Sequence, residues 1–178
     1  MANLIVAMLT LTGIITGAVV LMQSALAPQG ELSDAWKTLR ADSREMIQTK
    51  MSSLGVDVTG GGSNIELTVR NDGQTLLRDF DKWDLIVAYD PTSTSSGLRF
   101  VRLAYTDQSS PASGQWSVPG IYLDASESDP EVFSPGVVDP GEEFVVRAKI
   151  GIPIGTPSTN TLLLAVANGV TLSAQFNN

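Results

Sequence analysis

The sequence contains no cysteine and no histidine, and aromatic residues make up only 6% of its 178 positions. Without cysteine there is no disulfide framework, so a folded domain must be stabilised by its core alone. The sequence also lacks the side chains that usually supply imidazole acid–base catalysis, thiolate nucleophiles and zinc ligands. No G-x-S-x-G, P-loop or G-x-G-x-x-G motif occurs. We therefore predict that the protein is not an enzyme and uses no cofactor.

The first thirty residues contain no charged side chain. Residues 31–53 contain four acidic and four basic side chains, so this segment has no net charge. The net charge of −8 therefore belongs to residues 54–178. Nucleic-acid binding needs a basic surface, so no nucleic-acid partner is expected. An acidic surface of this kind favours solubility.

A long apolar run, LIVAMLTLTGIITGAVVLM, occupies residues 4–22. As a helix, residues 1–23 would be about 35 Å long, which matches the hydrocarbon core of a bilayer. Gly13 and Gly17 form a G-x-x-x-G pair, which lets another helix approach closely. A secretory signal peptide and an ordinary membrane anchor are the alternatives, but both usually carry basic flanks, and the first basic residue here is Lys37. The missing flank suggests a chain already trimmed at its N-terminus.

This run resembles the mature N-terminus of archaellins and related type IV pilin-like proteins. Ile5, and the lack of an acid before Glu31, resemble an archaellin more than a bacterial pilin. The resemblance implies a prepilin-type peptidase, a membrane motor and an assembly platform as partners, and insertion in the membrane before assembly. It also implies that the helices of many copies pack in a filament core. The expected packing residues are Leu4, Ile5, Leu9, Gly13, Gly17, Val20 and Leu21.

An amphipathic helical pattern follows, with apolar residues at spacings of three and four up to Leu54. It predicts a helix that ends near Ser53, with Gly55 as the stop signal. Pro28 and Gly30 predict a bend or a short break near residues 28–30. Such a helix would be about 75 Å long, whereas the rest of the chain predicts a head with a radius of gyration of about 14 Å. Lipid or other copies must therefore cover much of it.

The charges on this second helical segment are poorly paired within the chain. Only Asp34 and Lys37 form an opposite-charge pair at a spacing of three or four residues, and the other charged neighbours at those spacings repel each other. We hypothesise that these charges meet partners on neighbouring subunits, and the alternative is a solvated helix face. The expected inter-subunit contacts are Glu31, Asp34, Trp36, Lys37, Arg40 and Arg44.

Residues 55–178 show the period-two pattern of strands. Alternation around Ile65, Phe144, Leu162 and Leu172, with strands at 83–89, 98–106 and 115–123, predicts an antiparallel, Ig-like β-sandwich. Ala167-Asn168-Gly169-Val170 fits a two-residue hairpin turn. Residues 67–90 and 135–150 also resemble the head of archaellins and archaellum accessory proteins. The predicted class is α+β, with a long hydrophobic N-terminal α-helix in residues 1–54 and the sandwich head in residues 55–178.

Asp79, Asp81 and Asp84 are the weak candidates for a metal site, because carboxylates bind calcium. Their spacing fits no EF-hand loop, so we prefer an acidic surface loop and predict no metal.

The predicted function is that of a homopolymer subunit in an extracellular, archaellum-type filament on the cell surface, used for swimming motility. The alternatives are an adhesive type IV pilus subunit and a membrane-anchored β-sandwich accessory or binding protein.

Overall fold

The computed structural model describes residues 2–92 and 97–178, with their side chains except at positions 2–6 and 23–32. The fold is mixed α+β, and in the described residues one α-helix precedes nine strands that form a β-sandwich. The chain divides into two compact units, Met1–Arg44 and Glu45–Asn178. The predicted α+β class with a β-sandwich head is confirmed, and the Ig-like character of the sandwich stays a prediction.

Helix α1 spans Ala2–Gln48. It runs through Pro28 and Gly30 without interruption, so the predicted short break is wrong, while the predicted bend stays a prediction. Proline removes one backbone donor and disturbs one turn, a cost that neighbouring turns of a long helix can absorb. None of the helical segments with described side chains is both long enough and apolar enough to cross a membrane.

The end of α1 differs from the prediction. The helix ends at Gln48, and strand β1, Met51–Thr59, begins where the helix was expected to continue to Ser53. Met51 and Leu54, predicted on the helix face, therefore lie on a strand that is hydrogen-bonded to the next one. The spacing of three between Met51 and Leu54 fits a helix and not a strand. The segment is nevertheless a strand, and its register with β2 shifts between Ser53 and Gly55.

The other strands are β2 Asn64–Asn71, β3 Asp84–Tyr89, β4 Arg99–Tyr105, β5 Gln115–Asp124, β6 Asp129–Pro130, β7 Glu143–Lys149, β8 Thr159–Ala165 and β9 Thr171–Asn177. One sheet has the order β1-β2-β7-β5, with β6 pairing the end of β5, and the other has the order β4-β3-β8-β9. A short parallel pairing of β4 with β5 joins the two sheets. At the opposite edge β1 lies beside β9, so the sandwich is nearly closed like a barrel.

The hydrophobic core lies between the two sheets and follows the alternation seen in the sequence. The inward residues of β2, β7 and β8 are almost completely buried: Ile65, Leu67, Val69, Phe144, Val146, Ala148, Leu162 and Leu164. A short 3₁₀ helix, Phe80–Lys82, closes one end, and the rings of Trp83 and Phe144 pack edge to face at 5.8 Å. These strand predictions are confirmed, because burial on one face of a sheet needs that period.

The β8–β9 hairpin is one residue longer than predicted. The backbone N–H of Val166 donates to the carbonyl of Val170 at 3.0 Å, so residues 167–169 form the loop. Gly169 has a φ of 85°, a conformation that favours glycine. The Asn168 carboxamide oxygen accepts from the N–H of Val170, which stabilises the wider turn.

Candidate assembly surface

Every described side chain of α1 is exposed, including the apolar ones. Leu9 and Ile14 are each 69% exposed, and Met22 is 70% exposed. The Thr12 hydroxyl donates to the Met8 carbonyl at 2.8 Å, so this polar group is satisfied within the helix. Burial of a large apolar side chain contributes about 1.5–3 kcal/mol. Covering the helix with another apolar surface would therefore be strongly favourable in free energy.

Five predicted packing residues lie on one face of α1. A shallow groove, which we call the glycine groove, is lined by Leu9, Thr12, Gly13, Thr16, Gly17, Val20 and Leu21. A Cβ atom added at Gly13 or Gly17 would meet no atom within 4 Å. Packing within the described chain thus does not require these glycines, whereas the close approach of a second helix would. The predicted residues Leu4 and Ile5 lie outside the described side chains.

The predicted inter-subunit residues of the charged segment are also exposed, namely Asp34, Trp36, Lys37, Arg40 and Arg44. Lys37 Nζ lies 3.0 Å from Asp34 Oδ1, the pair expected from the spacing. Both side chains are at least 75% exposed, so the pair adds little stability. Trp36 leaves 59% of its side chain exposed. The predicted residue Glu31 lies outside the described side chains.

The three aspartates of the weak metal candidate are not assembled as a ligand set. The Asp79 carboxylate accepts a hydrogen bond from Lys82 Nζ at 2.7 Å, and this bond and the lysine charge lower the pKa of Asp79. The Asp84 carboxylate accepts from Arg102 Nε at 2.8 Å. Asp81 is exposed on the 3₁₀ helix. Among the described residues, no group of three or more acidic, histidine or cysteine side chains is arranged to hold a metal ion.

Asn71 is fully buried and links two turns that are far apart in the sequence. Its Nδ2 donates to the Thr75 carbonyl at 2.9 Å and to the Val138 carbonyl at 3.1 Å. Its Oδ1 accepts from the N–H of Gly73 at 3.1 Å, and its own N–H donates to the Glu142 carbonyl at 2.9 Å. The Asn-Asp-Gly and Pro-Gly-Glu turns are therefore one connected unit at this end of the head.

The chain leaving α1 is held by this same end of the head. Thr49 is buried, and its hydroxyl accepts from Asn168 Nδ2 at 2.7 Å. Gly73 packs directly against the backbone there, because an added Cβ would lie 2.5 Å from the Gln48 oxygen and 2.6 Å from the Lys50 nitrogen. We call these contacts the junction. A glycine is required at position 73 by this close approach.

The outer faces of the two sheets differ in polarity. On the sheet that contains β2 and β7, Arg147 Nε donates to Glu66 Oε1 at 2.6 Å, and Arg70 lies opposite Glu143. On the other sheet, the outward positions of β3, β4 and β8 are mostly apolar and adjacent in register. This apolar sheet face consists of Ile86, Ala88, Phe100, Leu163 and Ala165. Phe100 is 71% exposed, so no described part of the chain covers the face there.

A second apolar feature is the loop after β6. Phe133 is 88% exposed, the highest value among the large apolar side chains that the structure describes. The loop is ordered by Glu131, whose carboxylate accepts the N–H groups of Phe133 and Ser134. The N–H of Glu131 donates to the Ile121 carbonyl at 3.0 Å. Phe133 is therefore held outward by a defined backbone structure.

Sequence patterns located the glycine groove but did not locate the junction, the apolar sheet face or Phe133. The exposed ring of Phe133 follows a cluster of acids in a loop, and a large apolar residue in an acidic loop is a signal that could have identified it. The apolar sheet face depends on which strands become neighbours, and no single strand shows it.

No protein-family model matches this sequence, and no curated protein sequence matches it. Solved structures do share its fold. A structure of the archaeal flagellum of Methanospirillum hungatei strain JF1 matches with a TM-score of 0.61 and 10% identity over 96% of this chain and 90% of that chain. The archaellum periplasmic stator protein FlaG from Sulfolobus acidocaldarius matches with a TM-score of 0.50 and 16% identity over 72% of this chain and 99% of that chain.

The complex of the stator proteins FlaF and FlaG from Sulfolobus acidocaldarius also matches, with a TM-score of 0.50 and 16% identity over 72% of this chain and 89% of that chain. At these identities the likeness establishes the fold. It places the head among β-sandwiches of the kind found in these structures.

Proposed function

We propose that this chain is the structural subunit of an archaellum-type filament and that it polymerises through α1. The observation that carries the proposal is the exposure of every described side chain of this 47-residue helix, apolar residues and open glycine groove included. Apolar burial contributes about 25 cal/mol per Å², so contact between helices of neighbouring copies stabilises the assembly. A repeated contact between two different surfaces generates an open helical polymer.

The Methanospirillum hungatei flagellum structure supports this proposal. The match to it extends over 96% of this chain, so it includes most of α1 as well as the head. A long helix followed by a β-sandwich is thus compatible with packing in a filament of this type.

In the proposed assembly, α1 packs in the core of an extracellular filament and the acidic heads coat its surface. The helix resides in the membrane before assembly, and a prepilin-type peptidase, an assembly platform and a membrane motor are the further partners. Rotation by the motor gives swimming. The resemblance of the first thirty residues to archaellins supports these steps, and an adhesive type IV pilus would use the same assembly physics.

A second candidate is a stator-like accessory protein that remains a monomer or a dimer. The observation that favours it is the match of the head to almost the whole of the FlaG chain, at 99% of that chain. The two candidates differ in what they require of α1, because a stator-like protein needs the helix only as an anchor.

Electron microscopy of material sheared from producing cells tests the proposal. We expect smooth filaments about 100 Å wide, composed of this polypeptide, a width that follows from two head radii plus a helical core. Sedimentation of the native full chain separates the candidates, since a stator-like protein gives only a monomer or dimer. Full-length chain that stays monomeric in plain buffer, without lipid or detergent and with α1 ordered, contradicts filament formation.

A further inference from the structure

We propose that neighbouring heads bind each other through two different surfaces: the Phe133 loop of one copy docks on the apolar sheet face of the next copy. This inference rests on the proposed function, because it describes how heads meet when the chains assemble. Each copy would offer one loop and one face, so the contact would repeat in one direction along the array.

The Phe133 loop is built to contact another molecule. Its ring is 88% exposed, and the adjacent Val132 is 65% exposed. The Glu131 carboxylate holds the loop backbone, so little conformational entropy is lost when the ring is buried. Aromatic anchors that enter a partner surface commonly dominate the binding energy of an interface.

The apolar sheet face has the complementary chemistry. Ile86 lies between Arg102 and Leu163 in register, and Ala88 lies beside Phe100. Ala88 has a small side chain, and the neighbouring ring of Phe100 is 71% exposed, so an incoming aromatic ring can pack against Phe100 there. Both outer faces carry an ion pair, Asp84–Arg102 here and Glu66–Arg147 on the other sheet. The outward positions of β2 on the other sheet are all polar, so that face is a poorer apolar surface.

Charge selects a second copy as the partner. The segment leading to Phe133 carries the exposed acids Asp124, Glu127 and Asp129 and no base. Strands β3, β4, β8 and β9 carry two exposed bases, Arg99 and Arg102, and one acid, Asp84, which pairs with Arg102. This sheet therefore has one positive charge in excess, whereas the whole chain has a net charge of −8. Two acidic heads repel each other in most orientations, and this orientation brings the acidic loop to the basic strand.

The absence of cysteine makes a site-specific cross-linking test possible, because any thiol is introduced by design. The full-length chain is prepared with Val132→Cys and Ala88→Cys together, assembled, and treated with a short bifunctional thiol cross-linker. These positions leave the Phe133 ring in place. The matched control combines Val132→Cys with Thr68→Cys, an outward position on the other sheet.

We expect a ladder of covalent dimers, trimers and longer species from the loop–face pair and none from the control pair. Each single-cysteine chain should give no ladder, and an equal mixture of the two single variants should stop at dimers. Adding Phe133→Ser should abolish the ladder, whereas Leu76→Ser, which changes another exposed apolar residue, should preserve it.

Dimers from Val132→Cys alone indicate a symmetric loop-to-loop contact and overturn the proposal. Assembled material without a ladder from the loop–face pair overturns this contact but leaves filament formation standing. Full-length chain that does not self-associate at all contradicts both proposals, so the two failures are distinguishable.

Discussion

The buried side chain of Asn71 holds two turns of the head together. Both its carboxamide nitrogen and its carboxamide oxygen form hydrogen bonds to the backbone of these turns. Asn71→Ala leaves the carbonyls of Thr75 and Val138 and the N–H of Gly73 without this partner. A buried unsatisfied polar group costs about 1–3 kcal/mol, so we expect a loss of about 2–4 kcal/mol in the free energy of unfolding, measured by urea denaturation. Asn177→Ala, at an exposed position, should change it by less than about 0.5 kcal/mol. Equal effects would contradict the role of Asn71.

Glu142 gives the head a predictable pH dependence. Burial raises the pKa of Glu142 above its ordinary value of 4.5, and the charges of Asp139 and Glu131 act in the same direction. The folded state therefore holds this proton at a pH where the unfolded chain has released it, so the stability due to Glu142 falls as pH rises through that window.

Glu142→Gln should remove this dependence, because the amide oxygen can still accept from the N–H of Asp139. In urea denaturation from pH 4 to pH 7, the variant should gain stability relative to the unmodified chain as pH rises. Glu127→Gln, at an exposed site, is the matched control and should show no such trend. If Glu142→Gln instead becomes less stable than the unmodified chain as pH rises to 7, the fold stabilises the ionised carboxylate of Glu142 and this prediction is wrong.

At the scale of elements, the strands were predictable and the end of the helix was not. Ile65, Phe144 and Leu162 mark strands because burial on one face of a sheet imposes a period of two. The spacing of Met51 and Leu54 fits a helix, and only the pairing of β1 with β2 shows that this segment is a strand. The Asn71 contacts join segments that are far apart in sequence, so no local pattern contains them.

The junction also depends on contacts between segments that are distant in the sequence. Substitutions at two glycines, Gly73 and Gly55, test it. Gly73→Ala places a Cβ within 2.6 Å of the backbone after α1, so we expect a loss of about 1–3 kcal/mol in thermal or urea unfolding. Gly55→Ala is the control, because its Cβ would meet nothing within 4 Å. That variant should be neutral or more stable by up to about 1 kcal/mol. Similar losses in both variants would show that the junction does not constrain position 73.

The glycine groove makes a prediction about helix packing. Gly13→Leu and Gly17→Leu add large side chains to the groove at positions where an added Cβ meets no atom within 4 Å. We expect each variant to fold its head normally but to form few or no filaments by electron microscopy, because a second helix can no longer approach closely. Ala18→Leu adds a similar side chain outside the groove and should assemble. Normal filaments from both glycine variants would exclude the groove as a packing face.

At the scale of the whole molecule, the two units differ in how their apolar side chains are buried. The head buries its own core, and its stability is a property of one chain. The helix leaves Trp36, Leu39 and Ile47 exposed at 59%, 56% and 84%. Lipid or other chains would stabilise this apolar surface by burying it. Changes within the Met1–Arg44 unit should consequently alter assembly without altering the unfolding of the head.

Reversal of charge at Lys37 and Arg40 tests this separation. Lys37→Glu with Arg40→Glu breaks the exposed pair with Asp34 and replaces two bases that we expect to meet acids on neighbouring copies. The head should unfold at the same temperature as in the unmodified chain, because both positions lie in the Met1–Arg44 unit. Filaments should be absent in electron micrographs, since like charges would then face each other between copies.

The matched control reverses two exposed bases of the head, Arg78→Glu with Lys149→Glu, and makes the same change in net charge. If the control also fails to assemble, general repulsion between acidic chains explains both results. If the Lys37 and Arg40 variant forms normal filaments, these residues are a solvated helix face. If only the helix variant fails while both heads stay folded, the charges on α1 act between copies.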